Sequence, residues 1–135
     1  MTTQGTILFA HGSRDPLWRK PSEAIAARLR VLDPTRQVAC AFLELTEPNI
    51  IVCAAEMARQ GVDRINVVPL FLGVGKHARE DLPLLITELQ TAHPHVAFTL
   101  QAAVGEDERL VDLIAHIALS GRQRRPCRVR PPCTR

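Results

Sequence analysis

Three short stretches of this 135-residue chain carry side chains able to do chemistry. The first, ILFAHGSRDP, ends a hydrophobic run on His11 and follows it at once with Gly12, Ser13 and Arg14. The second, FLE, closes another apolar run on Glu44. The third, LFLGVGKH, leads through Gly73 and Gly75 to Lys76 and His77. An imidazole near neutral pH serves as metal ligand, proton acceptor or nucleophile, and a carboxylate beside it as base or ligand. Each residue alone has a plainer reading. A lone histidine at a strand end is more often structural or solvated. Glu44 suits a helix entry or a surface, Lys76 suits solvent, and Ser13 suits a helix cap as well as a ligand contact. What these residues mean depends on whether the fold brings them together.

The apolar periodicity supplies that fold. TILFA (6–10) reads as a buried strand, and from Pro21 a helix carries Ile25, Leu29 and Leu32 on one face. QVACAF (37–42) is a second strand. Thr46 is expected to cap the next helix, with Pro48 in its first turn, a stripe of Ile50, Cys53, Ala54 and Met57, and Gly61 closing it. RINVVPL (64–70) is a third strand, and a glycine-containing connection follows it. The next helix places Leu82, Leu85, Ile86 and Leu89 on one face, with Pro83 near its start. HVAFTL (95–100) is a fourth strand, and a last helix carries Leu110, Leu113, Ile114 and Ile117 after the acidic run at 106–108.

This regular strand–helix alternation predicts an α/β fold with a parallel sheet covered on both faces and right-handed crossovers. The expected architecture is a flavodoxin-like three-layer sandwich with four strands in the order 2-1-3-4. Ligands in such sheets sit beyond the carboxyl ends of the strands, where strand order reverses, here between strands 1 and 3. His11 follows strand 1 and His77 follows strand 3. Both are expected in one crevice, with Glu44 at the neighbouring strand end.

Composition excludes several other classes. Hydrophobic content is 46% and charged content 23%, ordinary for a globular domain. No apolar run approaches the ~20 residues of a membrane span, and none near the start reads as a signal peptide, so a cytoplasmic protein without membrane association is expected. The net charge of +3 belongs to the end of the chain. Six arginines fall within 121–135, where there is no acid, and residues 1–120 carry eleven basic against fourteen acidic residues. Nucleic acid is therefore not an expected partner. We expect one domain over 1–120 and a disordered basic tail over 121–135.

Cys40 and Cys53 suit small buried thiols, and the spacing of Cys127 and Cys133 is not that of a close zinc pair. His93 and His95 bracket Pro94 at a turn, and His116 lies beside the last apolar stripe; all three are read as structural or solvated. GVGKH is not a phosphate-binding P-loop, because Leu70 stands where the first glycine belongs and His77 where Ser or Thr belongs. A phosphoryl-transfer role for His11 lacks the preceding arginine, since Ala10 stands there.

HGSR (11–14), FLE (42–44) with Pro48 beyond it, and PLFLGVGKHAREDLP (69–83) together resemble the short, single-domain sirohydrochlorin cobaltochelatases. These are class II chelatases, related to siroheme ferrochelatase and to a nickel chelatase. The resemblance covers residues 6 to 117. It implies a lyase that inserts a divalent metal, cobalt before nickel or iron, into an anionic sirohydrochlorin-type tetrapyrrole with release of two protons, as in cobalamin-type biosynthesis. The metal is then a substrate, and no organic cofactor is implied. His11 and His77 correspond to metal-handling residues and Glu44 to the active-site glutamate. Any of the three could accept a proton. Arg14, Lys76 and backbone N–H groups around Gly12, Ser13 and Gly75 could hold the substrate's carboxylates. Gly12 and Gly75 would keep the backbone low beneath a flat ring. Larger relatives carry two such domains around one cleft, so a homodimer is expected. The other readings are a siroheme ferrochelatase, a nickel chelatase, and a non-catalytic metal- or tetrapyrrole-binding module.

Overall fold

A computed structural model describes residues 3–121. Four parallel strands, β1 (Gln4–Ala10), β2 (Gln37–Phe42), β3 (Arg64–Pro69) and β4 (Ala97–Leu100), form one sheet in the order β2-β1-β3-β4. This is the predicted order. β1 is central and pairs with both neighbours, Ile7 lying opposite Ala39 on one side and Val67 on the other. Six of its seven residues are buried, as a strand covered on both faces requires.

The helices are α1 (Lys20–Leu32), α2 (Ile50–Arg59), α3 (Lys76–Ala92) and α4 (Glu108–Ser120). Odd-numbered residues of β1 and β3 (Ile7, Phe9, Ile65, Val67) form the main core with Cys53, Ala54 and Met57 of α2 and Leu82 and Leu89 of α3. No helix among the described residues is long and apolar enough to cross a membrane. Of the predicted tail over 121–135, residues 122–135 lie outside the described residues, and Gly121, at φ +59°, ends α4.

Several local expectations are corrected. In α1 the buried residues are Ser22 and Ala26, while Ile25 and Leu32 are exposed. Small side chains seat that helix close to the sheet, and the larger apolar ones flank it. The cap of α2 is Asn49, whose Oδ1 accepts from Val52 N at 2.9 Å. Thr46 is occupied elsewhere, and Pro48 precedes the helix behind a cis peptide bond. α3 starts at Lys76, so Pro83 lies inside the helix and not near its start. Its first turn closes without the proline, Arg79 N donating to Gly75 O at 3.0 Å. β4 is shorter than predicted because Gln90 takes over its entry: its Nε2 donates to Val96 O at 2.6 Å and its Oε1 accepts from Phe98 N at 3.2 Å.

Cys53 is buried and Cys40 half-buried, both free thiols. Burial pushes the Cys53 thiol up to about 11 and raises Cys40 as well, so both remain protonated near neutral pH. Cys127 and Cys133 lie outside the described residues.

Candidate functional site

The carboxyl ends of β1, β2 and β3 open onto a cleft of about 580 Å³. His11 enters it from the end of β1. Gly75, Lys76 and His77 enter it from the cap and first turn of α3. Strand order does this: β1 and β3 are neighbours, so the segments that follow them emerge side by side. His11 and His77 therefore line one cleft although they are 66 positions apart.

The His11 ring is held by a residue that sequence reasoning did not single out. Phe71, just beyond β3 and only 3% exposed, stacks on it with ring centroids 4.2 Å apart and planes at 28°. Phe71 itself is fixed from behind. Its ring lies 6.3 Å from that of Phe9, and its carbonyl accepts from Gly105 N at 3.0 Å. Gly105 is close-packed here, since a Cβ on it would fall 1.8 Å from Leu72 O. A buried aromatic platform thus sets the plane of an otherwise exposed imidazole. Replacing Phe71 by leucine is expected to retain the fold while slowing any reaction that uses His11 on the order of ten- to a hundredfold. Far-UV circular dichroism alongside steady-state rates checks this; an unchanged rate would remove Phe71 from the site.

Glu44 reaches the site through the backbone. Its N–H donates to His11 O at 3.0 Å, and Leu43 N donates to Ala10 O at 2.9 Å. These bonds continue the β1–β2 ladder beyond the strands and set the Glu44 segment against His11. Leu43 lines the cleft, whereas the Glu44 side chain is exposed and is not among the lining groups.

Gly12 permits this approach. It sits at φ +103°, and a Cβ there would fall 1.8 Å from Glu44 O. Its backbone is low toward the β2 loop, a reason the sequence reading did not anticipate, and Gly12 itself is not among the groups lining the cleft. Gly75, by contrast, has no atom within 4 Å of a Cβ position, so the backbone there faces open space.

Ser13 and Arg14 do not line the cleft. Ser13 Oγ accepts from Asp15 N at 3.1 Å, its N–H donates to Thr46 Oγ1 at 3.1 Å, and Thr46 Oγ1 donates back to Ser13 O. Thr46 therefore joins two loops and caps no helix. Arg14 is exposed. His93 caps α3 with its ring 6.2 Å from Phe98, His95 is exposed, and His116 Nδ1 lies 2.9 Å from Asp112 O; none of the three lines the cleft.

The cleft also holds groups that the sequence reading left without a role. Asp81 and Glu88 project from α3, Asp81 one helical turn after His77. Leu84 and Leu85 form an apolar wall beside them. The i, i+4 spacing of His77 and Asp81 was the available signal. It was missed because that segment was expected to be a connection, where such spacing has no meaning. Among the described residues no three His, Cys, Asp or Glu side chains cluster closely enough to hold a metal ion. What the arrangement offers is two imidazoles, a lysine and a helix start at one end of an apolar-walled cleft, with carboxylates along α3.

The profile of the CbiX family matches residues 5–118. A protein named sirohydrochlorin cobaltochelatase in Methanopyrus kandleri is 38% identical over 80 residues, which cover 59% of this chain and 56% of that protein. The crystal structure of a CbiX protein from Marinobacter aquaeolei VT8 superposes with a TM-score of 0.77 at 33% identity, covering 87% of this chain and 95% of that one. The sirohydrochlorin chelatase SirB of Bacillus subtilis subspecies spizizenii, solved in complex with cobalt, superposes with a TM-score of 0.74 at 28% identity, and 51% of its length is covered.

Proposed function

The chain belongs to the CbiX family, and from that premise we propose that it is a sirohydrochlorin chelatase, a lyase that inserts a divalent metal ion into a sirohydrochlorin-type tetrapyrrole. The observation that carries this reading is the meeting of His11 and His77 in one cleft with an apolar wall. The names of the relatives support the substrate class.

In the reaction the macrocycle loses two pyrrole N–H protons and gains one metal ion bound to its ring nitrogens, so charge balances. His11 and His77 in neutral form deliver the metal. Imidazole is a good but exchangeable ligand for Co2+, Ni2+ and Fe2+, and two such ligands leave coordination positions for the incoming ring nitrogens. Leu84 and Leu85 give one face of the ring an apolar surface, and Phe71 fixes the imidazole that meets it. Lys76 and the free N–H groups at the start of α3 supply positive charge for the ring's carboxylates. The protons pass to His11, His77 or Asp81 on the lining, or to Glu44 on the loop beside it, outside the lining. Arg14 would bind a carboxylate only outside the lining described above.

Cobalt is our preferred metal, on the names of the short relatives, with cobalamin-type biosynthesis as the setting and the cytoplasm as the compartment. SirB is about twice as long as the part covered here, which supports a homodimer in which a second copy supplies the other half. The test is anaerobic mixing of the protein with sirohydrochlorin and Co2+, Ni2+ or Fe2+ in turn, followed by absorption spectroscopy. Insertion faster than the uncatalysed reaction, fastest with cobalt, is expected. No acceleration with any metal would contradict the proposal, and a non-catalytic carrier would then be the reading.

A further inference from the structure

Metal insertion frees two pyrrole protons, and the cleft is lined by five side chains with an ionisable group: His11, Lys76, His77, Asp81 and Glu88. The chemistry of the step removes four of them as acceptors. An imidazole that holds a metal ion has given its free lone pair to the metal, and its other ring nitrogen carries a hydrogen. His11 and His77 therefore cannot take a proton while they deliver the ion. The Lys76 ammonium has donors and no acceptor. Glu88 stands eleven residues beyond His77 on α3, about 16 Å away along the helix axis at a rise of 1.5 Å per residue.

Asp81 stands four residues beyond His77, about 6 Å along the same axis and on the same face of the helix. Side chains on an α-helix lean toward its N-terminus, so Asp81 leans back over the turn that carries His77. A metal ion lies about 2 Å from an imidazole nitrogen that binds it, and the ring nitrogens that take it over come to a similar distance. The pyrrole N–H groups therefore meet α3 within one turn of Asp81. Leu84 and Leu85 continue this face outward as the apolar wall. Asp81 is exposed, and among the described residues it enters no ion pair, so its carboxylate oxygens are free to accept.

Glu44 is the other carboxylate near the cleft, and its side chain lies outside the lining. The loop that keeps it there is tied on both sides of the residue. Glu44 N donates to His11 O at 3.0 Å, and Glu44 O accepts from Thr46 N at 2.8 Å.

We propose that Asp81 is the proton acceptor of metal insertion; this rests on the chelatase reading above. As each pyrrole N–H bond breaks, its electron pair stays on nitrogen and forms the bond to the metal, and the proton passes to an Asp81 oxygen. Asp81 faces solvent, so it hands the first proton to water and then takes the second. Two protons leave the ring and one divalent ion enters, so the charge is unchanged.

The test compares wild type, Asp81→Asn and Asp81→Ala with sirohydrochlorin and Co2+. Insertion is followed by absorption, and cobalt binding to the protein alone by the visible spectrum of the ion. Asparagine keeps the shape of the side chain and removes the base. It is expected to lower the insertion rate at saturating cobalt by roughly 10²- to 10⁴-fold, with cobalt affinity and the far-UV spectrum unchanged. Added acetate is expected to restore much of the rate in Asp81→Ala, where it can occupy the vacated place, and to leave wild type unaffected. An Asp81→Asn rate within a fewfold of wild type would overturn the inference while the chelatase reading stands. A slow variant whose cobalt affinity falls in step, with no response to acetate, would also overturn it and make Asp81 a group that positions the metal. No acceleration by the wild-type protein would instead contradict the chelatase reading, and the inference with it.

Discussion

Replacing His77 by alanine is expected to lower metal insertion at least ~10²-fold with the fold intact. Loss of a group that merely orients a metal ligand costs ten- to a hundredfold, and here a ligand itself is removed. The side chain is exposed in the first turn of α3, and alanine is the strongest helix former, so stability should change by no more than ~0.5 kcal/mol. The rate comes from the absorption change on insertion, and integrity from thermal unfolding. Activity within a fewfold of wild type, with a normal unfolding curve, would exclude His77 from the reaction.

The largest structural effect is expected at Gly12. Alanine there meets two independent penalties. A side chain at φ +103° is strained, and its Cβ would overlap Glu44 O at 1.8 Å. Relief requires the His11 and Glu44 segments to separate, which breaks the bonds from Glu44 N to His11 O and from Thr46 to Ser13. Together these place the cost on the order of 3–5 kcal/mol. Gly73→Ala is the control, because no atom lies within 4 Å of a Cβ at that position. We expect Gly12→Ala to lower the unfolding midpoint by roughly 10 °C or more and Gly73→Ala to leave it nearly unchanged. Equal midpoints for the two variants would contradict the close approach of the loops.

These two residues show what could be read from the sequence. The apolar pattern gave the strand–helix alternation, and the order 2-1-3-4 expected of a flavodoxin-like sheet put His11 and His77 at one crevice, as the sheet does. Local polar residues were less legible. Thr46 and Asn49 are both good caps, and only the tertiary position of the Ser13 loop decides that Thr46 is drawn away. Pro83 suggested a helix start, yet α3 tolerates it because one lost donor costs less than the burial of Leu82 and Leu89 on either side gains. Phe71 had the composition of an ordinary core residue; its stacking on His11 depends on the packing of two loops, which no periodicity encodes. The exposure of the α4 stripe was hidden for the same reason, since an amphipathic pattern marks an apolar face without recording what packs on it.

The central claim is that His11 and His77 act on one metal ion. X-ray absorption of the protein loaded with Co2+ tests it most directly, because imidazole scattering counts the histidines bound to the metal. The wild-type protein is expected to show two imidazoles per cobalt, and His11→Ala and His77→Ala one each. A spectrum with no imidazole, or one left unchanged by both substitutions, would contradict it.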